Sequence, residues 1–546
     1  MFPFGLLSIY LVSTLVCLVI LYVWKYRRYY YLAFQIPGPS ILRMLHILFV
    51  CIIIEKLEVV HKILAKFINE ERSSSPCMIK FWYGTKLMIF LLEPNLIRKV
   101  YQTHLRKDPL NYSLIDPILN GPSIFQNNDI PTWKAHRKII SHASFSMTAL
   151  KAHVKIFHEE AQILATKLGL KAVNGHPVEP EKMMGLSSLS MVIRTMSGLD
   201  FKIQQNFYDQ HPFLSAGTYG FEMLWTRIAN PWLLIPAIFN LSGYKKREEA
   251  ACKQVRVFAE EIIGKIKAKV TEQMKNFLED SKTNNFPCNY IEVSIRDQLN
   301  PTIPRRHVMT HDELVSEIIA ILSAGMDTTK TTNTIILIML ALHPHIQQEM
   351  YDEIISVLGT DSTLAPSYDQ LQQLHCLTRV IKETQRLYPA APIVGRETDE
   401  ELELDGYAIP KGANIYVPIY CGPHQDPQYW PDPTRFDPDR FLASAESPEQ
   451  SRNPAAFMSF SVGPRNCIGN KYAMLQMKAT ISTILRRYRI LPGERCKGIE
   501  DIQWELHMTM KLLEGNDIRL EPREVLGVNF NENLKTDGYE PCLNKI

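Results

Sequence analysis

No two of the ten cysteines stand at C-x-x-C spacing. Structural zinc sites usually draw on ligands paired at short spacing, so structural zinc is not expected. A chain of 546 residues does not depend on a disulfide framework either, and scattered thiols read as small core hydrophobes. Gly/Ser and Pro-rich linkers are missing, as are internal repeats. The length alone would allow three or four domains. Without linkers, one large domain or two fused lobes is the better reading. Charge of one sign is scarce: the formal net charge is +3, and no basic run is interleaved with aromatics. Both facts argue against a nucleic-acid partner. No glycine loop of the kind that cradles a nicotinamide or flavin phosphate is present, so any redox chemistry needs an external electron donor.

Charge is also absent before Lys25. Residues 5–24 form an apolar run that spans about 30 Å as a helix, the thickness of a bilayer core. An N-terminal transmembrane anchor is expected. A cleaved signal peptide is the competing reading, but the run lacks a basic leader and a clear small-residue cleavage site. Lys25, Arg27 and Arg28 follow, among Tyr26 and Tyr29 to Tyr31. Positive charge stays cytoplasmic, which puts the bulk of the chain in the cytosol. The two glycosylation sequons, at Asn111 and Asn240, are then idle. Residues 25–40 read as a basic, proline-containing hinge. Residues 41–523 form the main domain, and 524–546 a polar tail expected to be poorly ordered. A second apolar run, 47–54, is too short to span a bilayer; it suits a core or the membrane surface.

Helical patterns dominate the main domain. The longest covers 310–342, where Thr310 and Glu313 make a capping-box signature. Pro344 opens the next helix and Gly359 stops it. Another helix ends at Pro389. Residues 402–420 alternate apolar and polar side chains around Asp405-Gly406 and Lys411-Gly412 turns, the pattern of a small β region. Polar stretches at 280–306 and 359–368 read as surface connections. The expected fold class is mainly α with a small β lobe.

One cysteine stands apart. Cys467 lies in "FSVGPRNCIG", a loop with Gly463, Pro464 and Gly469, directly before a helix expected over 471–489. A helix start favours a thiolate, and the glycines admit a bulky group close to the backbone. Taken alone, Cys467 reads as a structural cysteine beside a tight turn. The rest of the loop changes that reading. Phe460, Gly463, Arg465, Cys467 and Gly469 fill every fixed position of F-x-x-G-x-R-x-C-x-G, and in this the chain resembles the cytochrome P-450 family of haem-thiolate monooxygenases. Three more motifs agree in order. Trp133 and Arg137, spaced i,i+4, could be simple cation–π packing. "AGMDTT", 324–329, interrupts the long helix with glycine and threonines, which cost helix propensity. Glu383 and Arg386 share a helix face at i,i+3, with "PDRF" downstream carrying Asp439 and Arg440.

The resemblance implies the following. The fold is that of the P-450 family around one buried haem b, held non-covalently apart from the Cys467–iron bond. Cys467 is both the cofactor-binding and the metal-ligating residue; its thiolate favours O–O cleavage. Trp133, Arg137, Arg396 and Arg465 bind the haem propionates. Thr328 and Asp327 are the catalytic pair that holds dioxygen and relays protons. Glu383, Arg386 and Arg440 form a buried network that fixes the Cys467 loop. The reaction joins substrate, O2, two electrons and two protons into hydroxylated substrate and water. Electrons come from a membrane-bound NADPH-cytochrome reductase or a cytochrome b-type donor, with Lys134, Lys138, Lys471 and Arg487 as candidate basic contacts. The substrate is a lipophilic small molecule, recognised by residues 110–125 and 201–244. The location is the endoplasmic reticulum membrane. The likeness is to insect members of the family-four clan, with one departure: Ala324 stands where many of those enzymes carry a glutamate able to form an ester with the haem. A haem-thiolate peroxide isomerase and a non-catalytic haem carrier are the competing functions.

Overall fold

The long helix is built as its sequence dictates. Thr310 accepts a hydrogen bond from the Glu313 amide, and the Glu313 side chain accepts one from the Thr310 amide. The helix then runs over His311–Leu342, about 48 Å, and buries side chains on every face, as the central helix of a large core does. The computed structural model describes residues 2–40, 42–44, 57–207, 210–277, 289–300, 302–303, 308–442, 453 and 456–523. The apolar run at 47–54, much of 280–306 and the tail at 524–546 lie outside the described residues.

In chain order the principal elements are α1 (Phe2–Lys25), α2 (Arg27–Gln35), α3 (Leu57–Arg72), β1 (Met78–Tyr83), β2 (Lys86–Leu91), α4 (Ile130–Ser144), α5 (Met147–Lys171), α6 (Glu181–Ser197), α7 (Pro212–Ala229), α8 (Gly243–Phe277), α9 (Tyr290–Leu299), α10 (His311–Leu342), α11 (Pro344–Leu358) and α12 (His375–Leu387). They continue with β3 (Ile393–Glu397), β4 (Leu402–Leu404), β5 (Tyr407–Ile409), β6 (Asn414–Pro418), α13 (Asn470–Arg487), β7 (Tyr488–Pro492), β8 (Trp504–Glu505), β9 (Lys511–Leu512) and β10 (Ile518–Pro522). The molecule is mostly helical with small sheets, the expected class. Helix α10 packs against α6, and α13 against α5.

The β lobe is larger than the sequence reading allowed. Strands β1 and β2 form an unforeseen antiparallel hairpin, which joins β6 in parallel at Ile89↔Ile415; β6 then pairs antiparallel with β3 at Ile415↔Arg396. The hinge region docks on this lobe. Ala33 and Ile36 are buried in its core, and the Lys80 ammonium donates to the Phe34 carbonyl at 2.9 Å. Helix α13 ends two residues earlier than expected, because Tyr488 and Arg489 begin β7 and pair with Pro522 and Glu521.

Helix α1 is continuous over 24 residues, and its described apolar side chains, Val12, Leu18, Ile20 and Trp24 among them, are exposed. Counting described residues, no helix is long and apolar enough to cross a membrane.

Candidate active site

The Cys467 loop is a tight reversal. The Cys467 amide donates to the Phe460 carbonyl at 2.9 Å, and the Asn466 amide to Gly463 at 3.0 Å. Gly463 sits at φ +77°, and a Cβ there would overlap the Tyr101 carbonyl oxygen. Only glycine fits both demands. Directly after the loop, α13 begins at Asn470. Cys467 is accessible to solvent-sized atoms, yet protein surrounds it on all sides. The two facts agree if its open surface faces an internal cleft. Burial pushes the thiol above its ordinary value, against the pull of the Gly469 amide and the Arg137 charge.

The middle of α10 also faces an internal space. Ala324 is exposed although the helix around it is buried, so it too faces an internal space. Thr328 lines the same cavity, and its hydroxyl donates back to the Ala324 carbonyl at 2.8 Å. Asp327 does not line it. One carboxylate oxygen lies 2.9 Å from the Lys330 ammonium, and the other accepts from the Thr509 hydroxyl. Lys330 also reaches Glu181 at 3.1 Å. Burial alone would depress the Lys330 ammonium, but Asp327 and Glu181 hold it above its ordinary value. The acid and the hydroxyl, adjacent in sequence, are therefore on different surfaces, and Thr509 is the cavity residue that touches the acid.

Four cations gather beside the cleft. Arg465 stacks 4.4 Å from the Trp133 ring centre, and Arg137 lies 5.8 Å from the same ring. Arg396 lies 4.4 Å from the Tyr101 ring centre. Lys107, unforeseen from the sequence, is buried beside them under the charges of Arg396 and Arg465. Burial and those charges hold Lys107 well below its ordinary value; burial, then Arg396 and Arg137, pull Arg465 down to about 9. Among the described residues no carboxylate pairs with any of the four. Their nitrogens are only partly used. Arg137 donates to the Asn466 side chain at 2.8 Å, Arg465 to the Asn127 carbonyl, and Arg396 to the Gly395 carbonyl at 2.8 Å. Nε and Nη1 of Arg465, Nε of Arg396 and Nε1 of Trp133 are buried without partners. Orphaned buried donors are costly, and a cluster of them with excess positive charge is the complement of a dianion. Two propionates on a planar group above Cys467 fit it.

The supporting network is as the motifs suggest. Both side chains of the Glu383–Arg386 pair are fully buried and meet at 2.7 Å, with Arg440 3.4 Å from Glu383. Arg386 also donates to the carbonyls of His424 and Pro433. His424, which no motif flagged, completes the link. Its ring bonds the Arg386 carbonyl through Nδ1 and accepts the Met458 amide at Nε2, both at 3.0 Å, and stacks on Phe457. Thus α12 is tied to the stretch leading into the Cys467 loop.

The distal cavity, about 350 Å³, is mostly apolar. Asn111, Tyr112, Leu119 and Phe125 come from the first expected recognition segment; Phe221, Leu224, Trp225 and Ile228 from the second. Residues of α3, of the β1–β2 hairpin, and 506–509 between β8 and β9 also line it; none of these was foreseen. Asn111 donates to the Tyr416 hydroxyl at 2.5 Å, so its side chain is engaged inside the protein. Of the candidate donor-docking contacts, Lys134, Lys138 and Lys471 are exposed. Arg487 is not free: it donates to Thr166 at 2.8 Å and to Gln162.

A helical body closing a thiol-bearing loop against a helix and a ring of unpaired cations defines a haem-protein class. Residues 43–514 match the family model described as Cytochrome P450, and the chain belongs to that family. "Cytochrome P450 4c21" of Blattella germanica is 30% identical, over 79% of this chain and 83% of its own. "Probable cytochrome P450 313a1" of Drosophila melanogaster is also 30% identical, over 92% and 97%. "Cytochrome P450 4d2" of the same fly is 28% identical, over 84% and 89%. These relatives place the chain in the family-four clan and make it a monooxygenase that uses haem, cysteine thiolate ligation and O2. Proteins of the family generally take electrons from a redox partner and bind small molecules.

Proposed function

We propose that the protein is a membrane-anchored monooxygenase of lipophilic small molecules, with Cys467 as the thiolate ligand of a haem b. The cluster of unpaired buried donors beside Cys467 carries this reading. When bound, the haem activates O2 and delivers one oxygen atom to a C–H bond. The residues do the rest. Trp133, Arg137, Arg396 and Arg465 hold the propionates, with Lys107 adding charge. Thr328 offers a hydroxyl in the cavity, and Asp327 holds a proton-accepting carboxylate that reaches the cavity through Thr509. The apolar wall excludes water and accepts a fatty acid, hormone, terpenoid or foreign compound. An NADPH-dependent reductase of the endoplasmic reticulum supplies electrons, and exposed Lys134, Lys138 and Lys471 suit an acidic partner.

The anchor is part of the proposal. It is supported by the unbroken 24-residue helix, its outward apolar side chains and the Lys25, Arg27 and Arg28 cluster beyond it. Trp232, Ile235, Ile238 and Leu241, exposed on one short segment, add a second apolar patch.

The test is spectral. Reduced protein with CO should show the red-shifted Soret band of a thiolate-ligated haem, and Cys467→Ala should lose it. An unaltered band in that variant rejects the ligand. Deleting residues 2–24 should release protein from the membrane fraction with the band intact.

A further inference from the structure

Residues 25–40, expected as a hinge, are in large part helical and seated on the domain. Backbone bonds cross the junction of α1 and α2 without a break. The Tyr26 amide donates to the Tyr22 carbonyl and the Tyr30 amide to the Tyr26 carbonyl, each at 3.1 Å. Both are helical i to i−4 bonds, so the chain bends at Tyr26 (φ −102°, ψ 15°) but is not released there. Residues 2–35 make one rod, about 51 Å along its axis.

The far end of the rod is fixed on the β1–β2 hairpin. Tyr30 stacks on Trp82 of β1, with ring centres 5.7 Å apart and 26° between the planes. Tyr29 and Phe34 meet the same indole, each at 6.3 Å. Tyr22, in the last turn of α1, reaches Tyr26 at 4.8 Å and Tyr30 at 6.5 Å, so ring contacts run unbroken from α1 to the β lobe. The Tyr29 hydroxyl accepts from the Leu87 amide of β2 at 2.9 Å. The last carbonyls of a helix have no partner within it, and here Lys80 supplies one. Its ammonium donates to the Ala33 and Phe34 carbonyls at 3.3 and 2.9 Å, and its amide to the Pro37 carbonyl at 2.9 Å. Leu32, Ala33 and Ile36 are buried. The Arg28–Glu401 pair, at 3.0 Å, is exposed at both ends and adds little.

Successive side chains of a strand point to opposite faces. Phe81 and Tyr83 line the distal cavity, and Trp82 between them turns to α2. The hairpin is thus a shared wall, with the cavity on one side and the rod on the other. Trp82 stacks on Tyr30, five residues or about 7.5 Å of helix beyond Lys25, where the apolar run ends. That is the depth at which tyrosine and tryptophan rings favour a bilayer interface.

We infer that α1 is a rigid mast: seated on Trp82 through α2, it holds the domain at one fixed attitude to a lipid bilayer, with the hairpin wall of the cavity at the membrane surface. The inference rests on the anchor reading above and goes beyond it, since an anchor on a free hinge would leave the domain able to swivel.

Pulsed electron resonance on the full-length holoprotein in phosphatidylcholine nanodiscs tests this. Nitroxide labels carried by non-natural amino acids at Val12 and Lys411, both exposed, report the distance between mast and domain. The native protein should show one narrow distance population. Trp82→Ala should lose it to a broad one while keeping the CO Soret band, because Trp82 faces away from the cavity. Tyr30→Ala removes the same stack from the rod side, outside the domain, and should act alike even where Trp82→Ala impairs folding. A broad distribution in the native protein overturns the inference. So does a narrow population that survives both substitutions, since Trp82 would then not be the seat. Failure to enter the nanodiscs rejects the anchor reading and the inference together; entry with a broad distribution rejects the inference alone.

Discussion

Ala324 turns a bare methyl toward the internal space beside Thr328. A methyl has no oxygen with which to esterify a haem. Acidified organic solvent should therefore extract all haem from the protein, even after many turnovers; haem left on the polypeptide would require another carboxylate. Ala324, Thr328 and Cys467 were legible because their signal is local: a short run of consecutive residues carries each motif. Asp327 was legible as an acid but not in direction, since one of its partners, Thr509, stands 182 positions away along the chain, and the other, Lys330, is itself held by Glu181 of α6. Lys107 and His424 carried no signal. Each is an ordinary polar residue whose meaning arises from partners far along the chain, such as Met458, 34 positions from His424.

Among elements, the junction of α12 with the Pro438–Phe441 turn is the most demanding electrostatically. Glu383 and Arg386 are both fully buried, and Arg386 spends its remaining donors on carbonyls at 424, 433 and 435. Removing one charge strands the others in a low-dielectric site. Glu383→Gln should cost about 3–5 kcal/mol of stability, read by thermal denaturation, and lower the amount of haem retained on purification. Loss below about 1 kcal/mol would mean the pair is dispensable to the junction. Helix α10 and its cap were readable from sequence because a capping box and periodicity are local properties. The β1–β2 hairpin was not. Its strands are near-continuous apolar runs, and what makes them a sheet is β6, paired at Ile89↔Ile415.

For the molecule as a whole, acid is the weak direction. His61, His153, His158, His211 and His424 are all buried, and burial lowers each of them, His61 and His211 to about 4 and His424 to about 3. The unfolded chain takes up these protons near 6.5 and the folded chain does not, so stability is complete above that value and falls as pH drops. Each such histidine costs up to about 1.4 kcal/mol per pH unit in that window. His136 runs the other way. Burial would lower it, but Glu317 raises it overall, so its contribution is present below 6.5 and fades as pH rises; it adds no slope in acid. Denaturant melts should weaken steeply between pH 6.5 and 5, and His424→Gln should reduce the slope by up to one proton. A flat profile would mean these rings charge without unfolding.

The cleft also has a timetable. Arg137 and Asn466 touch across 329 residues of chain, and the thiol lies one residue further on. At a synthesis rate of about 10 residues per second, roughly half a minute separates the emergence of Arg137 from that of the sulfur. Through that interval α4 carries Trp133 and Arg137 with nothing to enclose. The prosthetic group therefore cannot be held between these residues until the last part of the chain has been made. Ribosome-arrested chains ending before residue 460 should take up no haem, whereas the released full chain should.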